Sequence, residues 1–258
     1  MDNNAQNPVY VVLGATGGIG SELCRRLAQT DGARLVLGGR DGGKLDSLAG
    51  ELDAETRMVE LDATDSGAVD GAFETAAQEF GGVTGAVNCV GGFLLKPIHM
   101  TSEAEFDEQV SLNLKTAFGT VKAAANHMRG GGSVVLISSV AGRVGLENHE
   151  AVAAAKAGVT GLAMSAAATY VSRGLRFNVV APGLIQTQMT QNVTRNDASR
   201  EASEELHPLN RLGEPSDIAA MISWLLDPAQ DWVTGQSFGV DGGLSTLRPL
   251  PRRSSKRG

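Results

Sequence analysis

The densest chemical signal in the chain is Gly14-Ala15-Thr16-Gly17-Gly18-Ile19-Gly20, near the amino end. An apolar run, Val9–Leu13, precedes it, and a helix-forming segment, 21–29, follows. Glycines between a strand and a helix let the backbone come close to an anion, while free N–H groups and the positive end of the helix dipole face it. Such a turn is suited to a pyrophosphate, with Gly14, Thr16, Gly18, Ile19 and Gly20 as its residues. A second signal is Leu37-Gly38-Gly39-Arg40, at the end of the next apolar run. A carboxylate there would bond a ribose 2′-hydroxyl and repel a 2′-phosphate. Gly39 stands in the acid's place, and Arg40 offers a planar, permanently charged fork for phosphate. Asp41 next door opposes that preference, and Arg40 can also be read as a plain surface charge.

These residues need elements to hold them. Short runs rich in Val, Ile and Leu recur at 9–13, 35–37, 84–87, 134–137 and 177–180, with a late strand at 236–240. Amphipathic segments between them predict helices over 18–30, 42–53, 66–79, 102–128, 150–172 and 215–226. This alternation predicts an α/β fold, a Rossmann-type doubly wound parallel sheet with helices on both faces. No linker or internal repeat interrupts it, so residues 1–247 read as one domain.

The spacing Gly14-x-x-x-Gly18-x-Gly20 resembles the fingerprint of the short-chain dehydrogenase/reductase family, and the resemblance runs over nearly the whole chain. Asn88-Cys89-Val90-Gly91 resembles the family's Asn-Asn-Ala-Gly block, and Asp62 matches the acid that holds the adenine amino group. Asn113 matches the helix asparagine, and 137–142 the segment of the catalytic serine, here Ser139. Pro182, Gly183 and Thr187 match the segment that clasps the nicotinamide; 211–215 and 241–243 match the carboxyl-terminal signature. Within the family the chain is most similar to the 3-oxoacyl-acyl-carrier-protein reductases. The resemblance implies seven parallel strands, a nicotinamide cofactor read at Arg40 as NADP(H), and a homotetramer or homodimer formed through the two long helices. On the second of these, Ala154, Ala157, Gly161, Ala166 and Ala168 are small enough to let a partner helix approach.

One family feature is missing. In the family a tyrosine four residues before the lysine exchanges a proton with the substrate oxygen, the lysine lowers its pKa and holds the ribose, the serine polarises the carbonyl, and the asparagine orients a relay water. The matching stretch, 152–159, keeps Lys156 and the Ala-Gly after it, but the tyrosine position holds Val152. The only tyrosines are Tyr10, in the first strand, and Tyr170, almost four helical turns beyond Lys156. His149, three residues before Val152 and seven before Lys156, would share their face if the helix already included it. Its interval to Lys156 equals the tyrosine-to-lysine interval of the related enoyl reductases, so it is a candidate replacement. Against this, a loop-to-helix junction often faces solvent, and a helix N-terminus disfavours an imidazolium.

Composition narrows the partners. The net charge is −7, yet Arg248, Arg252, Arg253, Lys256 and Arg257 are all positive, leaving −12 on the rest. An acidic body is a poor nucleic-acid surface, and the tail, 248–258, reads as basic and disordered. The polar start lacks a secretory pattern and no stretch reads as a bilayer span. Two cysteines at no metal-ligand spacing suit a reducing cytoplasm. Two functions remain: an NADPH-dependent reductase of small carbonyl or quinone substrates using Ser139, Lys156 and Asn113, or a pseudoenzyme that binds NADP(H) as a sensor or docking module. The substrate walls are expected from 92–100, 143–148 and 188–206, the last as a lid, with His99, Met100, Leu146 and Met189 facing the substrate.

Overall fold

A computed structural model describes residues 7–249. In chain order its elements are β1 (Val9–Leu13), α1 (Gly18–Leu27), β2 (Arg34–Gly39), α2 (Gly42–Glu51), β3 (Glu55–Glu60), α3 (Ser66–Phe80), β4 (Gly85–Asn88) and α4 (Glu103–Val110). There follow a π-helical segment (Ser111–Lys115), α5 (Thr116–His127), β5 (Gly132–Ile137), α6 (Glu150–Tyr170), β6 (Leu175–Pro182), α7 (Asp197–Leu206), α8 (Pro215–Leu226) and β7 (Ser237–Val240). All seven strands are parallel, in the order β3-β2-β1-β4-β5-β6-β7. Chain direction across the sheet therefore reverses between β1 and β4, which opens a crevice at their carboxyl ends.

The strands are apolar because both faces are covered. Along β1, Val11 and Leu13 join a core with Phe73, Ala86, Leu136 and Phe177 on one face. Val12 joins Leu23, Leu37, Val87, Ile218 and Ile222 on the other. Each of these large side chains contributes about 1.5–3 kcal/mol by leaving water, and alternate residues of one strand thereby hold helices on opposite sides.

Four elements differ from the sequence reading. β3 is absent from the six apolar runs because it is the sheet's edge: Glu55 and Glu60 are exposed, and Glu55 pairs with Arg34 and Arg57. The single helix expected over 102–128 is broken by the π-helical segment. The expected lid contains α7, which buries no residue of its own. Helix α6, extended to Arg173, has the length and hydropathy of a membrane span, contrary to the sequence reading. Here its apolar face instead seats Ala155, Val159 and Ala163 in the core. Of the five small residues proposed for a partner helix, Ala154, Ala157, Gly161 and Ala168 face outward, whereas Ala166 is buried against the sheet. Of the basic tail, Arg248 donates to the Leu244 and Leu247 carbonyls; the remainder, 250–258, lies outside the described residues, as do residues 1–6.

Candidate functional site

The glycine turn is built by close approach. Gly14 has φ +73°, a conformation costly for any residue with a Cβ, and donates, with Ala15, to the Gly38 carbonyl. A Cβ on Gly20 would overlap the Gly14 carbonyl oxygen, so α1 can start directly above the end of β1 only with glycine there. The helix's first N–H groups thus face the crevice, and Gly17 caps it without any side-chain bond.

A cleft of about 540 Å³ occupies this crevice. Thr16, Gly18, Ile19, Gly20, Arg40, Gly91, Asn113, Ser139, Val152, Lys156, Pro182, Gly183 and Thr187 all line it, so sequence-chosen residues from seven loops and helix faces converge there. Arg40 is exposed at one end. Its neighbour Asp41 is engaged elsewhere: the carboxylate accepts from Lys44 N–H at 3.1 Å, capping α2, and pairs with the Lys44 ammonium at 3.5 Å. Those bonds hold its pKa below the ordinary value.

Asn113 owes its place to the π-helical segment. It is 1% exposed; its amide donates to the Gln109 carbonyl at 3.0 Å, and its Oδ1 accepts from Gly92 N–H at 3.0 Å. Helix and loop are tied at the cleft wall by one side chain. Ser138 and Ser139 both line the cleft but bond differently: Ser138 donates to the Lys156 carbonyl at 2.8 Å, whereas Ser139 Oγ accepts from Ala141 N–H at 3.1 Å. Its hydroxyl proton remains available to an oxygen in the cleft.

Lys156 sits one turn beyond Val152 on α6, and both are buried, at 6% and 3% exposure. Its ammonium donates to the Ile137 carbonyl at 2.8 Å. Burial brings its pKa down to about 8, because a low-dielectric surrounding penalises the charged form. Cys89, which the sequence reading passed over as a site residue, also lines the cleft; burial pushes its thiol up to about 12. Its position at the end of β4 was the available signal.

Four sequence-chosen residues lie outside the lining. Gly14 shapes the turn from below. Asn88 is buried, donating to Thr116 Oγ1 at 3.0 Å and accepting from Val90 N–H, so it joins the end of β4 to α5. Asp62 is exposed beyond β3, where the Thr64 backbone and hydroxyl hold its pKa down. His149 is the N-cap residue of α6, outside the helix; its Nδ1–H donates to the Glu147 carbonyl at 2.7 Å and its ring stands edge-on to Phe93. The condition under which it shared the face of Val152 and Lys156 is not met. Of the expected walls, Gly92, Phe93 and Gln188–Thr190 line the cleft. His99, Met100 and 143–148, Leu146 included, do not, though Lys96 N–H donates to the Asn148 carbonyl and links the two loops. One positioning residue was missed altogether. His207, buried, donates from Nδ1 to the Ser203 carbonyl and accepts at Nε2 from Leu184 N–H, anchoring α7 to the segment beyond β6.

A doubly wound sheet with a glycine turn at its switch point, facing a serine, a lysine and a buried asparagine, defines a dinucleotide-binding α/β protein of the oxidoreductase type. The family model described as enoyl-(acyl carrier protein) reductase matches residues 14–245. The chain is 32% identical to the 3-oxoacyl-[acyl-carrier-protein] reductase FabG of Thermotoga maritima over 93% of this chain and 98% of that one. It is 35% identical to the inactive 2-(S)-hydroxypropyl-CoM dehydrogenase 2 of Xanthobacter autotrophicus, over 86% and 99%. The structure of a short-chain type dehydrogenase/reductase from Mycobacterium ulcerans superposes with a TM-score of 0.88 at 30% identity, covering 94% of this chain and 91% of that one. The chain belongs to the short-chain dehydrogenase/reductase family, whose members use nicotinamide cofactors.

Proposed function

We propose that the protein is an NADPH-dependent reductase of small carbonyl or quinone substrates whose site lacks the proton-donating tyrosine. The observation that carries this reading is the convergence of Arg40, Ser139, Asn113 and Lys156 on one cleft at the β1/β4 crevice. The glycine turn fits a pyrophosphate, since its Cβ-free surface and the amino end of α1 face the cleft. Arg40, with Asp41 drawn to Lys44, is placed to take a 2′-phosphate; Thr187, Pro182 and Gly183 flank the nicotinamide end. When bound, the cofactor supplies a hydride. Ser139 then donates a hydrogen bond to the substrate oxygen, and the Lys156 charge stabilises the negative charge that develops there. Val152, standing where the family resemblance puts tyrosine, can exchange no proton, so substrates that polarise easily are favoured. Two unpaired thiols, Cys24 and Cys89, suit a cytoplasmic setting. The exposed Phe118 of α5 and Met164 of α6, beside the small outward residues of α6, suit a homodimer or homotetramer through these helices; light scattering showing only monomer would remove that part.

The test is stopped-flow NADPH oxidation against quinones, 1,2-diketones and acyl thioester ketones, with NADH in parallel. Turnover with NADPH supports the reading. A second reading, an NADP(H)-binding pseudoenzyme, is favoured by Val152 and by similarity to a relative whose name calls it inactive. Tight NADPH binding with no oxidation by any member of the panel would establish it.

A further inference from the structure

We propose that the Lys156 ammonium itself is the proton donor of the reduction, taking the part that an aromatic hydroxyl would otherwise play. This rests on the reductase reading above. The cleft's own inventory leads to it. Among the side chains lining it, the groups that can ionise are Arg40, Cys89 and Lys156. A guanidinium does not give up its proton near neutrality, and a thiol pushed up to about 12 is too weak an acid to help. The Asn113 amide is no acid, and Thr190 Oγ1 is committed to the Ile185 carbonyl. His149 does not reach the lining. Lys156 remains.

Its geometry suits the task. Residues i and i+4 of a helix share a face, so Val152 and Lys156 border the same part of the cleft, and a valine neither blocks nor bonds the amine. An ammonium has three N–H donors; one is used, on Ile137 O, two residues before Ser139. That bond ties the nitrogen to the end of β5, from which the cleft-lining Ser139 follows, with two protons left over. Burial brings the ammonium to about pKa 8, near the working pH that suits a general acid. The groups facing it are few. Cys89, from the end of β4, is the one ionisable neighbour that raises its pKa; the Ile137 carbonyl and Ser138 from the β5 end and Asn113 from the π-helical segment are neutral, and Arg40 lines the same cleft.

The step balances without a further reactant. Hydride from the nicotinamide adds to the carbonyl carbon, the C=O π pair moves to oxygen, and that oxygen takes a proton from Lys156 Nζ. Alcohol and oxidised cofactor result, and the lysine is left as a neutral amine, the form that burial favours. It regains a proton from solvent once the alcohol departs.

The test combines a measurement that needs no turnover with one that does. Competitive acetylation with peptide mass mapping, in the presence and absence of NADPH, reads the titration of Lys156 in the unmodified protein. A midpoint near pH 8 is expected; a midpoint at or above 10 overturns the proposal. With 2,3-butanedione and ethyl acetoacetate as probes, kcat should fall tenfold per pH unit above the same midpoint. Lys156→Arg keeps the charge but cannot yield the proton, so at saturating NADPH it should lose kcat by about 10²-fold, the general-acid contribution, with no break near pH 8. Lys156→Met should lose as much. If Lys156→Arg keeps kcat and the break, lysine is only a fixed charge and this proposal fails while the reductase reading stands. If the unmodified protein binds NADPH and reduces neither probe nor any other carbonyl, both fail together.

Discussion

Restoring a phenol at position 152 is the most direct perturbation of the site. Val152 lines the cleft one turn before Lys156 and is 3% exposed. In Val152→Tyr the ring would project from the face that already borders a space of about 540 Å³, so overpacking should cost about 1 kcal/mol of stability, the low end for added bulk. The hydroxyl would lie within reach of Ser139 and of the Lys156 charge, which lowers a phenol's pKa. A well-placed general acid contributes ~10²–10⁴-fold. Because Lys156 already supplies a proton, the lower figure applies: about 10²-fold in kcat, or about 3 kcal/mol of barrier. The assay is NADPH oxidation with 2,3-butanedione, with cofactor affinity and thermal midpoint measured alongside. A folded variant that binds NADPH normally but gains less than about threefold, well short of a general acid's effect, refutes the reasoning that proton delivery limits the reaction.

Arg40→Ala should weaken NADP(H) binding by about 10-fold or more, as for a charge-assisted bond worth about 1.5–3 kcal/mol, and leave NAD(H) nearly unchanged; calorimetric titration with both dinucleotides decides it. His149→Ala should leave kcat within about threefold, far from a general acid's contribution, because the ring is spent on the Glu147 carbonyl and Phe93; loss of turnover would give it the proton role instead. Glu105, held at about pKa 2 by Lys96 and by the Ser102 cap, stabilises the loop over 96–105. Its pKa is lowered on folding, so the stabilisation is present above its unfolded pKa of about 4.3 and lost as pH falls through about 2. Glu105→Gln should therefore lower the urea midpoint at pH 7 by more than at pH 2, and an equal loss at both would contradict the assignment.

The parts of this fold legible in the sequence are those under the strongest packing constraint. β1 is apolar at all five positions because both faces are covered, and Gly14 and Gly20 cannot be other residues without moving α1. β3 escaped because an edge strand is free to be polar. α7 escaped because it buries nothing, although Asn196, which accepts from Ser199 N–H at 2.8 Å, is a cap that could have announced it. Cleft lining was legible at Arg40, Ser139 and Gly183, each just beyond a strand's carboxyl end, whereas Gly14 and Asp62 follow strands in the same way and lie outside it. It was not legible for 143–148, whose distance from the cleft is set by turn geometry rather than by composition. His207 gave no signal either, since its two bonds join segments 23 and 4 residues away.

The π-helical segment bears on how this site can vary. A π turn is an α-helix with one residue too many, so deleting one residue between Ser111 and Lys115 would leave an unbroken helix from Glu103 to His127. The faces on either side would keep their packing. Asn113, however, would swing about 100° around the axis, withdrawing its amide from Gly92 and the cleft wall. The asparagine's role is thus encoded in a count of residues, and it is a change of length, silent in every substitution scan, that would separate the scaffold from its function.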